Sequence, residues 1–223
     1  MFSTLDSLKP ALRQLVRALG QRYPYASALA VEDASRRWSI SRGGVNIDAS
    51  DFRGGTGFVL RVFDGVGCAE YSFNRFSEEM IPEIEERVAQ GLAAQNAALE
   101  GFAPLPTPIP ADEPASLCKA TVCRVDPREL GDEAILARLR GIREKALARD
   151  QRIKDAQLSM AYRGCRKIFL SQNRDLDQTL TWTTCSLAMM AARGQELKYA
   201  FESFSNLGGA EVLEGVEDAV DQV

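Results

Sequence analysis

The sequence predicts an α+β fold: a pseudo-duplicated pair of helix–antiparallel strands–helix units packed into one domain. Three observations carry this reading. The stretch Arg36–Gly65, RRWSISRGGVNIDASDFRGGTGFVLRVFDG, alternates apolar and polar residues between glycine turns, as half-buried strands do. A weaker copy returns later: Arg36–Ser41 aligns with Arg166–Ser171 at an offset of 130 residues (166 − 36), and Gly65 with Gly194 at 129 (194 − 65). Between the copies, residues 100–116 hold Pro104, Pro106, Pro108, Pro110 and Pro114. That segment reads as an extended polyproline-type connector. The expected division is a first unit over 1–99, the connector over 100–116 and a second unit over 117–223.

Leu8, Leu12, Leu15, Val16 and Leu19 form one apolar stripe, so a first helix is expected, ending at Gly20. Pro10 fits only a first turn, which favours a start near Ser7. Tyr25–Ala34 reads as a strand, and Arg36–Ser41 alternates with Trp38 and Ile40 on one face. Arg42-Gly43-Gly44 turns the chain, and Val45 and Ile47 resume the alternation toward Ala49. Gly54, Gly55 and Gly57 supply a turn before the apolar strand Phe58–Phe63. Asp64-Gly65 is a hairpin signal before a strand over Val66–Phe73. Ser77 is a cap for a second helix with the stripe Ile81, Ile84, Val88 and Leu92.

Past the connector, Leu117–Val125 reads as a short strand and Asp126-Pro127-Arg128-Glu129 as a helix start. Asp132-Glu133 restarts that helix, with Ile135, Leu139, Ile142 and Ala146 on one face and five basic residues elsewhere. Interleaved acids make its basic side a solvated face. Ile153–Leu170, Leu176–Ala192 and Leu197–Phe204 are strand-like, with Arg193-Gly194 as a turn. Gly208-Gly209 precedes a last helix bearing Val212, Val216 and Val220. Gly55, Gly57, Gly65, Gly194, Gly208 and Gly209 are thus expected to serve structural turns. Strand follows strand through short turns, which predicts antiparallel meanders without βαβ crossovers.

Composition narrows the chemistry. The chain has 223 residues, a net charge of −4 and no histidine. Absent histidine excludes Ser-His-Asp and Cys-His nucleophile pairs within the chain and the imidazole ligands of most catalytic zinc centres. The acidic balance predicts no nucleic-acid face. No apolar run is long enough for a membrane helix, and the N-terminus lacks a signal-peptide core, so the cytosol is the expected compartment. Five irregularly spaced cysteines predict no disulfide framework. In a strand over 117–122, Cys118 and Cys123 would face apart and could not share a metal. Gly54-Gly55-Thr56-Gly57 lacks dinucleotide-loop spacing and precedes a strand, so it is no phosphate cradle. Glu32-Asp33 and Glu78-Glu79 are adjacent pairs, without the spacing of an acid/base constellation.

The block GGTGFVLRVFDGVGCAEYSFN, residues 54–74, resembles the N-terminal domain of the TldD/PmbA (TldE) family. The likeness rests on Gly55 and Gly57, Arg61-Val62, the Asp64-Gly65 dipeptide and the short aromatic strand after it. The Ala28–Glu32 strand, residues 125–157 and Asn206–Val212 with its glycine pair resemble further family segments in the same order. The resemblance implies the non-catalytic half of a zinc metallopeptidase acting on unfolded or small peptides, often as a heterodimer. The family's HExxxH signature lies in a C-terminal domain and has no counterpart here, so no catalytic or metal residue carries over. No cofactor is expected in this chain, and zinc belongs to the C-terminal domain. The expected partners are that domain or a TldD/TldE-like subunit, together with peptide, and neither nucleic acid nor membrane. The last helix carries Asp218 and Asp221 at its C-terminal end, where the helix dipole disfavours acids, so it reads as one cut short.

Competing expectations are a stand-alone interaction module working through a sheet edge and, least supported, an unrelated small-molecule enzyme. Candidate contacts to peptide or partner are Arg61 and Asp64, with the 176–192 strand. Arg61 is the charge inside an apolar strand. It is expected either to pair internally, the favoured reading, or to face a ligand.

Overall fold

The computed structural model describes residues 4–48, 55–102 and 111–220. The elements run α1 (Thr4–Gly20), β1 (Tyr25–Ser41), β2 (Gly44–Asp48), β3 (Thr56–Phe63), β4 (Cys68–Phe73), α2 (Ile81–Ala98), β5 (Ala115–Ala120), α3 (Pro127–Leu130), α4 (Asp132–Ala148), β6 (Ile153–Ser171), β7 (Arg174–Arg193), β8 (Glu196–Leu207) and α5 (Val212–Ala219). The strands form one eight-stranded antiparallel sheet in the order β4-β3-β1-β6-β7-β5, with β2 beside β1 and β8 beside β7. The α+β class is as the alternation and the short turns predict.

Two compact units interleave along the chain. The first comprises Met1–Asp33, Gly55–Lys119 and Arg166–Thr179; the second comprises Ala34–Gly54, Ala120–Cys165 and Leu180–Val223. In the first, the stripes of α1 (Leu5, Leu12, Leu15, Val16, Leu19) and α2 (Ile81, Ile84, Val88, Leu92) bury against Ala26, Ala28 and Ala30 of β1, Phe58, Leu60 and Val62 of β3, and Ile168 and Leu170 of β6. In the second, α4 and α5 bury Leu139, Ile142, Leu213 and Val216 against Trp38 and Ile40 of β1, Leu158 and Met160 of β6, and Leu187 and Met189 of β7. Burial of this kind stabilises by about 1.5–3 kcal/mol for each large side chain.

The sequence repeat is legible in these cores. Trp38 and Ile40 stand 130 residues before Ile168 and Leu170, and Ala28 and Ala30 stand 130 before Leu158 and Met160. All eight are buried. β1 and β6 both end 130 apart, at Ser41 and Ser171, and β2 and β7 start 130 apart, at Gly44 and Arg174. Each repeat divides between the units part-way along its long first strand. The compact units do not follow the division expected at 100–116: each draws on residues from both sides of it. The copies also differ: the helix that closes the first, α2, has 18 residues, and the helix that closes the second, α5, has eight.

A charged device also recurs. Arg36 and Trp38 Nε1 on β1 both donate to Asp132 in the first turn of α4, the indole at 2.9 Å. Arg166, at the position equivalent to Arg36, donates to Asp6 in the first turn of α1 at 2.7 Å. Each aspartate sits where the helix dipole favours an anion.

Several boundaries depart from the sequence reading. α1 starts at Thr4, so Pro10 lies inside it; burying Leu5 completely offsets the one backbone hydrogen bond that proline forgoes. Tyr25–Ser41 is one strand, because its apolar positions bury into the two cores in turn. Ser77 donates to Glu79 at 3.3 Å and makes no side-chain cap; a short 3-10 turn, Glu78–Met80, leads into α2. β5 ends at Ala120 with all six residues exposed. Cys123 thus lies beyond the strand, and the parity argument for it and Cys118 does not apply. Four of the connector's five prolines, Pro104, Pro106, Pro108 and Pro110, fall on 103–110 and lie outside the described residues, as do Ala49 and Gly54.

Candidate interaction surfaces

In each unit the helices cover one face of the strands, and the period of two sends alternate residues to the other. In the first unit that other face holds Leu29 and Val31 of β1, Val59 and Arg61 of β3, and Glu70 and Ser72 of β4, brought together by the pairings Leu29↔Val59, Val59↔Ser72 and Arg61↔Glu70. In the second unit it holds Ala188, Met190 and Ala192 of β7 beside Phe201, Tyr199 and Leu197 of β8. Ser159 and Ser186 join there through their hydroxyls at 2.9 Å. Leu197, Tyr199 and Phe201 are 53%, 75% and 66% exposed. Phe204, at the opposite parity, packs against the helix-side core.

Arg61 is exposed and donates through Nε to Glu70 Oε1 at 2.7 Å, directly across the β3–β4 ladder. It is thus paired, but on a solvent-facing surface rather than inside. Exposed ion pairs contribute about 0–1 kcal/mol. Arg61→Ala is therefore expected to shift the melting temperature by no more than roughly 2–4 °C, measured by thermal denaturation. A drop several times larger would mean that the pair is buried in some further assembly.

Asp64 closes the β3–β4 turn. Its Oδ1 accepts from the amides of Val66 (2.8 Å) and Gly67 (2.9 Å), and its Oδ2 from Asn96 (2.7 Å). Burial alone would raise its pKa, but the Gly67, Asn96 and Val66 donors outweigh that and hold it below the ordinary carboxylate range. These three bonds shape the turn and tie it to Asn96 of α2, leaving the carboxylate one acceptor site to spare.

The glycines divide. Gly65 (φ +103°) and Gly194 (φ +62°) sit in turns that require positive φ. Gly55 closes the β1–β3 ladder, donating to Asp33 Oδ1 at 3.1 Å. Gly57 corrects the expectation of a turn: it is a strand residue of β3 opposite Val31. Gly208 follows β8 and donates to the Thr181 carbonyl at 3.0 Å. Gly209 is needed for space: a Cβ there would overlap the Val125 carbonyl oxygen and stand 2.9 Å from its carbon.

Among the described residues, no group of three or more Cys, Asp or Glu side chains is placed to hold a metal ion. Burial pushes the Cys185 thiol up to about 12, so it is neither a nucleophile nor a ready ligand. No described helix is long and apolar enough to cross a membrane. The aromatic surface of β8 was missed by sequence reasoning. Its signal was present: Leu197, Tyr199 and Phe201 are apolar at one parity and Phe204 at the other, so a strand burying only one face must expose some of them.

No protein-family model and no curated protein matches the chain. Solved structures do. TldE from Thermococcus kodakarensis aligns over 95% of this chain with a TM-score of 0.65 at 14% identity. The fold is that of TldE. Two proposed modulators of DNA gyrase share it, from Bacteroides thetaiotaomicron (TM-score 0.63, 14% identity, 97% of the chain) and Thermotoga maritima (0.62, 12%, 98%). The chain spans about half the length of these proteins: 46% of TldE, and 50% and 47% of the other two. The TldE-like fold matches the family resemblance that residues 54–74, 125–157 and 206–212 suggested.

Proposed function

We propose that the chain acts as the N-terminal, non-catalytic half of a TldD/PmbA-type zinc metallopeptidase, holding peptide and building the assembly while a second half supplies the chemistry. The observation that carries this reading is the coverage: almost the whole chain matches, yet it accounts for only about half of each matched protein. The donor set agrees. A catalytic zinc takes about three protein ligands with an open fourth position. The chain offers no imidazole and, among the described residues, no cluster of carboxylates and thiols. This donor set supports a reading in which the chain contributes binding and the second half holds the metal. Extended peptide suits that role, because a sheet edge offers main-chain hydrogen bonds to any sequence. A stand-alone interaction module is the second reading, favoured by the exposure of Tyr199 and Phe201.

The test is a peptide-digestion assay with zinc analysis on the chain alone and on the chain combined with a TldD-type catalytic half. The proposal expects no zinc and no cleavage from the chain alone, with chelator-sensitive cleavage in the combination exceeding that of the catalytic half by itself. Stoichiometric zinc and cleavage by the isolated chain would overturn it. Equal activity with and without the chain would favour the interaction module.

A further inference from the structure

We propose that β8 is a homodimer edge, at which two copies of this chain pair β8 against β8 in antiparallel fashion about Ala200. The inference stands independently of any peptidase role. β8 is a twelve-residue strand whose described ladder partner is β7 alone. Among the described residues its outer edge thus has no ladder partner, and three large apolar side chains beside it are exposed. Long apolar edges of this kind are templates for another strand, and proteins cover or blunt them.

The sequence of β8 favours a second copy. The two-residue turn Gly194-Gln195 makes Arg193↔Glu196 the hydrogen-bonded pair that closes the hairpin. Residues 196, 198, 200, 202 and 204 thus direct their main-chain groups toward β7, and 197, 199, 201 and 203 direct theirs outward. A two-fold pairing must then match odd residues with odd. Centred on Ala200, it sets Tyr199 opposite Phe201 as the hydrogen-bonded pair, twice, and extends the apolar face across the join. It also sets Lys198 opposite Glu202, again twice, in the non-hydrogen-bonded sites where side chains approach most closely. Centring the pairing on Tyr199 instead would oppose Glu196 to Glu202. Centring it on Phe201 would leave Lys198 facing Phe204.

The surroundings of Lys198 strengthen the charge match. It lines a depression of about 450 Å³ together with Arg149, Arg152 and Arg193, against the acids Asp150 and Glu196. Asp150 is already engaged by Arg152, with Nε to Oδ1 at 2.9 Å. An incoming Glu202 would enter a cationic site on a chain whose net charge is −4. The two charges that would otherwise guard an open edge become a complementary pair when the partner is the same strand.

The experiment is charge reversal read by sedimentation equilibrium of the 223-residue chain. The wild type is expected to run at about twice its 24.5 kDa mass. Lys198→Glu and Glu202→Lys should each weaken dimerisation about tenfold or more, and the double variant K198E/E202K should restore it. Far-UV circular dichroism checks that each single variant is folded. Ala200→Cys gives a second measurement, since the residue lies on the two-fold and should form an intermolecular disulfide mapped to position 200. A wild type that stays monomeric at high micromolar concentration overturns the proposal. So does a dimer indifferent to both reversals with no cross-link at 200.

Discussion

Gly209→Ala is expected to lower the unfolding free energy by on the order of 3 kcal/mol, at the upper end of what overpacking costs. For a chain of this size that corresponds to roughly 6–12 °C in melting temperature. The reason is local and steric. Gly209 lies where the chain leaves β8 for α5, against the backbone of residue 125 in the same unit. The Ala210 amide donates to the Val125 carbonyl at 2.7 Å. Glu211 bridges the two segments, accepting from Gly209 N–H at 2.8 Å through one oxygen and from Val125 N–H at 3.1 Å through the other. Thr183 Oγ1 donates to the Gly208 carbonyl at 2.7 Å from the buried side. A methyl group at 209 meets main chain that these hydrogen bonds hold in place, so relief requires breaking several of them. Gly91→Ala is the control. Gly91 lies inside α2 with open space where its Cβ would be, so alanine there should stabilise by about 0.5–1 kcal/mol. Opposite shifts of the two variants in one denaturant titration would confirm that position 209 is limited by space. A neutral Gly209→Ala would show that the 125 segment yields.

The contrast between these glycines shows what the sequence discloses. The period-2 alternation around Trp38 and Ile40 disclosed a strand, and the 130-residue offset disclosed that Ile168 and Leu170 would occupy the equivalent place. The helical stripes of α1 and α2 named their own buried faces. Each of those signals is local, repeated every two or every three to four residues. Interleaving of the two cores is not local. Nothing within Tyr25–Ser41 says that Ala28 and Trp38 bury in different units, because both satisfy the same alternation. Nor does a glycine announce its reason. Gly65 and Gly209 look alike in sequence, yet one answers to a positive φ and the other to a carbonyl 84 residues away (209 − 125). Arg61 was legible as a charge within an apolar strand, but its partner Glu70 became visible only with the β3–β4 register.

Replacing Arg166 by methionine is expected to cost about 3 kcal/mol, the range for removing one partner of a buried ion pair, and to move acid unfolding to higher pH. Arg166 and Asp177 side chains are only 13% and 8% exposed. The guanidinium holds both carboxylate oxygens, Nε to Oδ1 at 3.0 Å and Nη2 to Oδ2 at 2.8 Å. Its remaining amine reaches Asp6 on α1 at 2.7 Å, and Lys9 on the same helix approaches Asp177 at 3.4 Å. The network thus ties α1 to β6 and β7 within one unit. The bidentate bond from Arg166, assisted by Lys9, holds Asp177 below the ordinary carboxylate pKa despite its burial. The sign follows by linkage: a carboxylate whose pKa is depressed on folding contributes stability that is fully present above its unfolded value, about 3.9, and is lost as pH falls through the folded one. Without Arg166 the depression shrinks, because Lys9 remains as the charge beside a desolvated carboxylate, and the acid limb of the stability curve shifts upward. The double variant R166M/D177N removes both charges and should recover part of the loss, since replacing a pair costs less than stranding one member. Chemical denaturation of the three proteins between about pH 3 and pH 7 tests this. Loss equal at every pH, with no recovery in the double variant, would show that Arg166 acts through packing of its aliphatic stem instead of its charge.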